Sequence, residues 1–351
     1  MKKFKNFRKL IKSNKSKLIA KELVTHSQLF ALENRYVLDG AAGATISDIT
    51  TGEWVPIMIG TNFDAQGDSQ AGAADTDLVG DATHASVYTS YNDNSTPSYT
   101  ADDVLAFRLR IDNPTSDTYF GGVAIVGMDA NADGKVDLFF SVDGRNNTQA
   151  VRLFDPGTDL NISPSTTSTT PLPSGWLANN GMYPFNDTSY SVTTVSAATD
   201  PNWNGNDDLG VNGDTDVFVS FQLPMVDIAT VLAMPSPTDR KGVTGPRGTE
   251  GIAGFTKDTS VRYVAFTQTQ PGTINGDMNG VGSGYDKTTT FADLGTFTPF
   301  MSASEPINAA GILTINSSIG DGNLSATEDD AVSLSGTATG QTHLNPVQFV
   351  V

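Results

Sequence analysis

The chain has 351 residues, 38% of them hydrophobic, a formal net charge of −18 and no cysteine. Its acidic character disfavours nucleic acid and anionic lipid as partners, because both repel carboxylates. The lack of cysteine excludes disulfides, thiolate zinc sites and thiol catalysis, and bound metal is the usual substitute where long loops must be held without disulfides.

The N-terminal segment differs in charge from the rest of the chain. Residues 1–35 contain ten lysines and arginines against two glutamates. Their apolar residues recur near helical spacing, but charged or polar residues interrupt every apolar pair, whereas a Sec signal peptide needs a continuous apolar stretch. We therefore expect residues 1–41 to be a basic leader, helical or disordered; the leader is the one part of the chain through which a membrane could be contacted.

Residues 42–305 are predicted to form one all-β domain. Short apolar runs alternate with turns rich in Gly, Asp and Asn, which is typical of a β-sandwich of the jelly-roll or Ig-like kind. The expected strands, in chain order, are Trp54–Ile59, Ala85–Tyr91, Val104–Ile111, Val123–Val126, Leu138–Phe140, Val151–Phe154, Val217–Phe221, Arg262–Gln270 and Phe291–Phe300.

Three segments of this domain have compositions that predict exposure. Val104–Ile111 alternates apolar residues with Arg108 and Arg110, which predicts a strand with one polar face. The acidic loop of residues 64–81 matches no ion-ligand spacing and is expected to be solvated. Residues 161–175 are rich in Ser, Thr and Pro and predict an exposed loop or a flexible insertion.

A calcium-binding loop is predicted inside a hairpin of residues 123–143. Apolar runs flank a loop in which oxygen-bearing side chains alternate and a glycine permits a sharp turn, as calcium loops require. The expected ligands are Asp129, Asn131, Asp133, the main-chain carbonyl of Lys135, and Asp137. Phe140 stands where an EF-hand has its bidentate Glu, so we expect a loop between strands rather than between helices. The alternative is a polar turn that holds no ion.

The loop sequence D-A-N-A-D-G-K-V-D-L resembles the calcium loop of FG-GAP and VCBS-type repeats, in which D-x-N-x-D-G-x-x-D-L lies between two strands. This resemblance implies Ca²⁺ as the bound ion. A second acidic cluster precedes the strand V-F-V-S-F and has a similar order of turn and strand, without the strict alternation. Its candidate ligands are Asp208, Asn212, Asp214 and Asp216.

Residues 29–42, LFALENRYVLDGAA, resemble the LEPR-XLL segment of very large bacterial exoproteins and adhesins, usually written A-L-E-P-R-x-x-L-D-A-A. Asn34 replaces the proline of that motif, and Gly40 adds a residue before Ala41. The resemblance implies a protein of the bacterial cell surface that is exported by a non-Sec, type I-like route.

Residues 311–340 resemble the opening of the bacterial Ig-like repeats that are strung along giant adhesins. The matching positions include Ile315, Gly320, Asp321 and Glu328. An Ig-like module needs about 100 residues, so we expect residues 306–351 to be a partial repeat or a donor-type segment that completes itself with another chain.

The sequence contains no catalytic motif, and we expect no enzyme. Its three histidines, His26, His84 and His343, are scattered, and it has no nucleophile elbow, H-E-x-x-H helix or phosphate loop. We predict an extracellular structural or adhesin protein with a Ca²⁺-stabilised sandwich. The alternatives are a self-assembling filament or layer subunit that adds a strand to another copy, and a lectin-like module that binds surface glycans, with Trp203 beside the second cluster.

Overall fold

The structure is a computed structural model, and it describes residues 46, 49–57, 64–70, 76–93, 102–112, 120–145, 149–209, 214–236, 245–270, 274–281 and 286–306. All of these residues belong to one compact unit, Gly40–Val351. The predicted leader, residues 1–41, lies outside the described residues. So does the predicted C-terminal segment, apart from Pro306.

The first of two antiparallel sheets is built around a long central strand. In spatial order it contains β1 (Val55–Pro56), β3 (Val87–Asn92), β4 (Val104–Asp112), β11 (Val217–Pro224) and β10 (Tyr190–Thr194), and β2 (Asp77–Leu78) pairs with the end of β4. Strand β4 is the centre because it pairs along most of its length with β3 on one side and β11 on the other.

The second sheet contains the predicted hairpin. In spatial order it has β12 (Arg262–Gln268), β5 (Val123–Asp129), β6 (Leu138–Asp143), β7 (Ala150–Pro156) and β8 (Thr169–Pro171), and β9 (Met182–Tyr183) also pairs with β7. Strands β5 to β8 follow one another along the chain, whereas β12 arrives much later and pairs with β5. Every residue of β5 and β6 is buried, so both faces of these strands are covered.

The two sheets pack face to face around an apolar core. The ring centroid of Phe107 in β4 lies 5.1 Å from that of Phe140 in β6 and 5.2 Å from that of Tyr263 in β12. Within its own sheet the same ring lies 5.9 Å from Phe221. These contacts join opposite sheets through buried aromatic side chains. The predicted all-β sandwich is therefore confirmed for the described residues.

Two of the predicted segments have a different local structure. Phe291–Phe300 does not form a strand: it begins with a short helix, Phe291–Leu294, in which Thr290 Oγ1 accepts a hydrogen bond from Asp293 N (3.1 Å). Residues 161–175 are not simply exposed, because Asn161 is buried and Thr169–Pro171 pairs with β7. A second helix, Met225–Leu232, directly follows β11 and packs four apolar side chains into the core.

The polar face of β4 is also buried, contrary to expectation. The guanidinium of Arg108 lies 4.1 Å from the ring centroid of Trp54. Arg110 is fully buried, with its Nε 2.7 Å from Asp216 Oδ2 and its Nη1 3.2 Å from Asp200 Oδ2. The charges on this face are tolerated inside the protein because aromatic and carboxylate partners from other segments cover them.

Candidate metal sites

The hairpin loop connects two buried carboxylates at the ends of neighbouring strands. Asp129 is the last residue of β5, and Asp137 immediately precedes β6. Between them, Ala132 and Gly134 have left-handed backbone conformations, with φ angles of 65° and 83°. A glycine at that point of the loop permits the tight turn without strain.

The oxygen-bearing side chains of this loop are oriented by main-chain hydrogen bonds. Asp129 Oδ2 accepts a bond from Gly134 N (3.0 Å), and Asn131 Oδ1 accepts one from Asp133 N (3.0 Å). Asp133 Oδ1 accepts a bond from Lys135 N (2.9 Å), and its Oδ2 lies 3.1 Å from Lys135 Nζ. The bonds donated by Asp133 N and Lys135 N form Asx-type turns, in which a short side chain replaces a backbone partner.

The two buried carboxylates of the loop differ in how their charge is balanced. Arg262 places Nε and Nη2 each 2.8 Å from Asp129 Oδ2. Within the described ranges Asp137 forms no ion pair, although Ala130 N donates a hydrogen bond to it (2.7 Å). Burial, followed by the negative charges of Asp133 and Asp129, raises the pKa of Asp137 to about 7. Asp137 is therefore the carboxylate of this loop that a bound cation would stabilise most.

A segment more than 100 residues later in the chain packs against the loop. Asn131 Nδ2 donates a hydrogen bond to the carbonyl of Pro246 (3.1 Å). The buried guanidinium of Arg247 donates to the carbonyl of Asp137 and pairs with the carboxylate of Asp155 in β7. The loop is thus fixed by tertiary contacts that its own sequence does not reveal.

The second predicted cluster is divided between surface and interior. Asp208 and Asp214 are half-buried, whereas Asp216 is fully buried and paired with Arg110. Burial raises the pKa of Asp216 to about 6 even though the arginine acts in the opposite direction. Asn212 lies outside the described residues. The positive charge that pairs with Asp216 is therefore supplied by the protein's own Arg110.

Three further carboxylates meet at a place that the sequence did not indicate. Asp64, Asp68 and Asp277 are buried, and one oxygen atom from each lies within 4.8 Å of the others. Elsewhere among the described residues, the hairpin carboxylates included, no three Asp, Glu, His or Cys side chains converge in this way. The expectation that residues 64–81 are solvated is wrong, since Asp77 is buried as well.

This group, which we call the Asp64 cluster (Asp64, Asp68 and Asp277), was missed for a topological reason. Its members are 4 and 209 residues apart in the sequence, so no local spacing could reveal it. The available signal was the density of Asp in residues 64–81, which indicates a concentration of negative charge but not the distant third carboxylate.

Comparison with protein-family models, with curated proteins and with solved structures finds no match to this chain. No helix in the described ranges combines the length and apolar content that crossing a lipid bilayer requires.

Proposed function

We propose that this protein is an exported structural module of the bacterial cell surface, whose β-sandwich is stabilised by calcium bound in the Asp129–Asp137 loop. The observation that carries the proposal is the shape and charge of that loop. Two paired strands hold buried carboxylates at its ends, alternate side chains supply oxygen atoms between them, and Asp137 has no ion-pair partner among the described residues.

The stabilising role follows from the electrostatics of the loop. Its acidic side chains repel one another, and burial makes their charged forms costly. A calcium ion would remove both penalties, so folding would be favoured by the calcium concentration outside cells and remain incomplete where calcium is scarce. That coupling suits a chain that is exported unfolded, which the LEPR-like leader segment also favours.

Arg262 sets a condition on this proposal. It already neutralises Asp129, and its guanidinium also lies 4.2 Å from the ring centroid of Phe297. Calcium in the loop must therefore either share Asp129 with this arginine or displace it. Replacing Arg262 with glutamine is expected to strengthen calcium binding, because a competing positive charge is removed.

No described residue favours the lectin-like or filament alternatives over this proposal. Trp203, the aromatic residue expected to meet a sugar, is half-buried and packs against the apolar cluster that contains Trp54, Tyr88 and Phe218. The C-terminal segment expected to add a strand to another copy lies outside the described residues.

The test is thermal unfolding of the full chain in millimolar calcium and in chelator. Binding at about 100 times the dissociation constant is worth about 2.7 kcal/mol, or roughly 5–10 °C for a domain of this size. Asp133→Ala should reduce the calcium-dependent rise in melting temperature, whereas Asp159→Ala, which removes an exposed carboxylate elsewhere, should not. A rise that is unchanged in Asp133→Ala would overturn calcium binding by the hairpin. Protease treatment of intact cells tests surface exposure separately.

A further inference from the structure

The Asp64 cluster has the features of a built site. Two of its members are held in place by backbone donors: Leu78 N and Met278 N donate to the two oxygens of Asp277 (2.8 and 2.7 Å), and Gly280 N donates to Asp64 Oδ1 (3.2 Å). The orientation of these carboxylates is therefore fixed before any ligand arrives, which lowers the entropic cost of binding.

The same cluster contains buried oxygen atoms that have few hydrogen-bond donors among the described residues. There, Asp64 Oδ2 has no partner although Asp64 is only 1% exposed, and the carboxyl of Asp68 meets no group beyond its own main chain and the neighbouring carboxyl of Asp277. Asn279 Oδ1, two residues after Asp277 and next to the donor Gly280, is also buried without a partner. Buried polar atoms normally have partners, so these oxygens in neighbouring residues indicate a missing one.

The charge at the cluster also lacks compensation. No lysine or arginine in the described ranges pairs with Asp64, Asp68 or Asp277; the neighbouring charges are other carboxylates, foremost Asp77. Desolvation first, and then these neighbours, raise the pKa of Asp68 to about 6 and that of Asp277 to about 8. Such a group needs either protons or a cation to be stable inside a protein.

We propose that Asp64, Asp68 and Asp277 bind a divalent cation that prefers oxygen ligands, and that this cation is calcium. Three converging carboxylates, with no His or Cys among them in the described part of the chain, match the oxygen ligands that calcium takes and not those of zinc or copper. The site does not depend on the hairpin loop, so either site can fail without the other.

The position of the cluster assigns a mechanical role to the ion. Asp64 and Asp68 belong to the segment that leads to β2 of the first sheet, and Asp277 belongs to the segment that follows β12 of the second. Hydrogen bonds already join these segments, such as those from Gln70 N to Gly276 O (2.8 Å) and from Gly280 N to Asp64 Oδ1 (3.2 Å). A bound ion would add a further link between the two sheets at this edge.

The decisive variant is Asp68→Asn in the full chain. The substitution keeps the size of the side chain and removes one negative charge, and it breaks no ion pair, because no lysine or arginine of the described residues pairs with Asp68. Calorimetric titration with calcium chloride should show one site fewer, or one site weakened about tenfold or more, since ligand charge sets calcium affinity. In chelator the melting temperature should stay equal to or above that of the unchanged chain, because repulsion between carboxylates is reduced.

Two results would overturn the proposal. Unchanged stoichiometry and affinity in Asp68→Asn would mean that shared protons, not a cation, neutralise the cluster. An equal loss of melting temperature in chelator and in calcium would mean a purely structural carboxylate. Asp159→Asn, at an exposed position, controls for net charge. If Asp68→Asn removes a calcium site while Asp133→Ala leaves calcium binding unchanged, the result supports the site at the Asp64 cluster and contradicts the site in the hairpin loop.

Discussion

Removing Arg110 tests whether the buried polar face of β4 is held by paired charges. In Arg110→Met, the apolar length of the side chain is retained while its ion pairs to Asp216 (2.7 Å) and Asp200 (3.2 Å) are lost. Asp200 keeps bonds from Tyr88 Oη (3.3 Å) and Asn202 N (2.8 Å), whereas among the described residues the carboxylate of Asp216 keeps only a main-chain bond from Leu209 N (3.2 Å). The larger cost therefore falls on Asp216.

Breaking a buried ion pair by removing one partner typically costs about 3–5 kcal/mol, because the other charge stays buried and unpaired. We expect a loss of that size in the free energy of unfolding at pH 8. The loss should shrink at pH 5: without the arginine, the pKa of Asp216, already about 6, rises further, so the folded variant takes up a proton that relieves the penalty.

The measurement is equilibrium urea unfolding of the calcium-saturated chain at both pH values. Asp216→Asn added to Arg110→Met should recover part of the loss, since it removes the charge that was left unpaired. Lys257→Met, which breaks an exposed pair with Asp258, should cost under about 1 kcal/mol. A loss below about 1 kcal/mol in Arg110→Met, or an equal loss at pH 5 and pH 8, would refute the reasoning.

Three further predictions concern the core, a tight turn and pH. Phe107→Ala should lower the free energy of unfolding in urea by about 3–5 kcal/mol, because the fully buried ring contacts both sheets and its removal leaves a cavity in the core. A loss near zero would contradict the packing. Gly144→Ala should destabilise by about 1–3 kcal/mol or more, since its Cβ would lie 2.0 Å from Phe120 O, while Gly52→Ala, with open space around it, should stay within about 0.5 kcal/mol. In chelator, stability should fall from pH 6 to pH 9, because the pKa of Asp277 is raised to about 8 and the stability from its protonated form is lost as pH passes that value; a flat profile would argue against a buried uncompensated carboxylate.

The sequence predicted the elements whose pattern is strong and local. The strands around Val104–Ile111 and Val217–Phe221, and the hairpin of residues 123–143, lie where apolar periodicity placed them. Edge strand β10 was missed because its residues are all half-buried and carry no clear alternation. The helix after Thr290 had a usable signal, a Thr followed three residues later by Asp, which the apolar character of the run obscured.

Sites made by distant residues were beyond the reach of local spacing. Arg110 was expected on a polar, exposed face of its strand, because its partner Asp216 comes 106 residues later in the sequence. Asp277, likewise, joins Asp64 only because the fold brings the two sheets together at one edge. The predicted hairpin residues follow one another in a single loop, and whether they hold an ion stays a prediction.

The pairing of β5 with β12 has a consequence for how the chain folds. Asp129 and Arg262 are 133 residues apart, yet they stand opposite each other at the end of this pair. Until residues 262–268 are available, β5 presents an open edge that another chain can occupy. We therefore expect slow folding dominated by long-range contacts, and a chain that ends before β12 should aggregate through the edge of β5 rather than form a smaller stable domain.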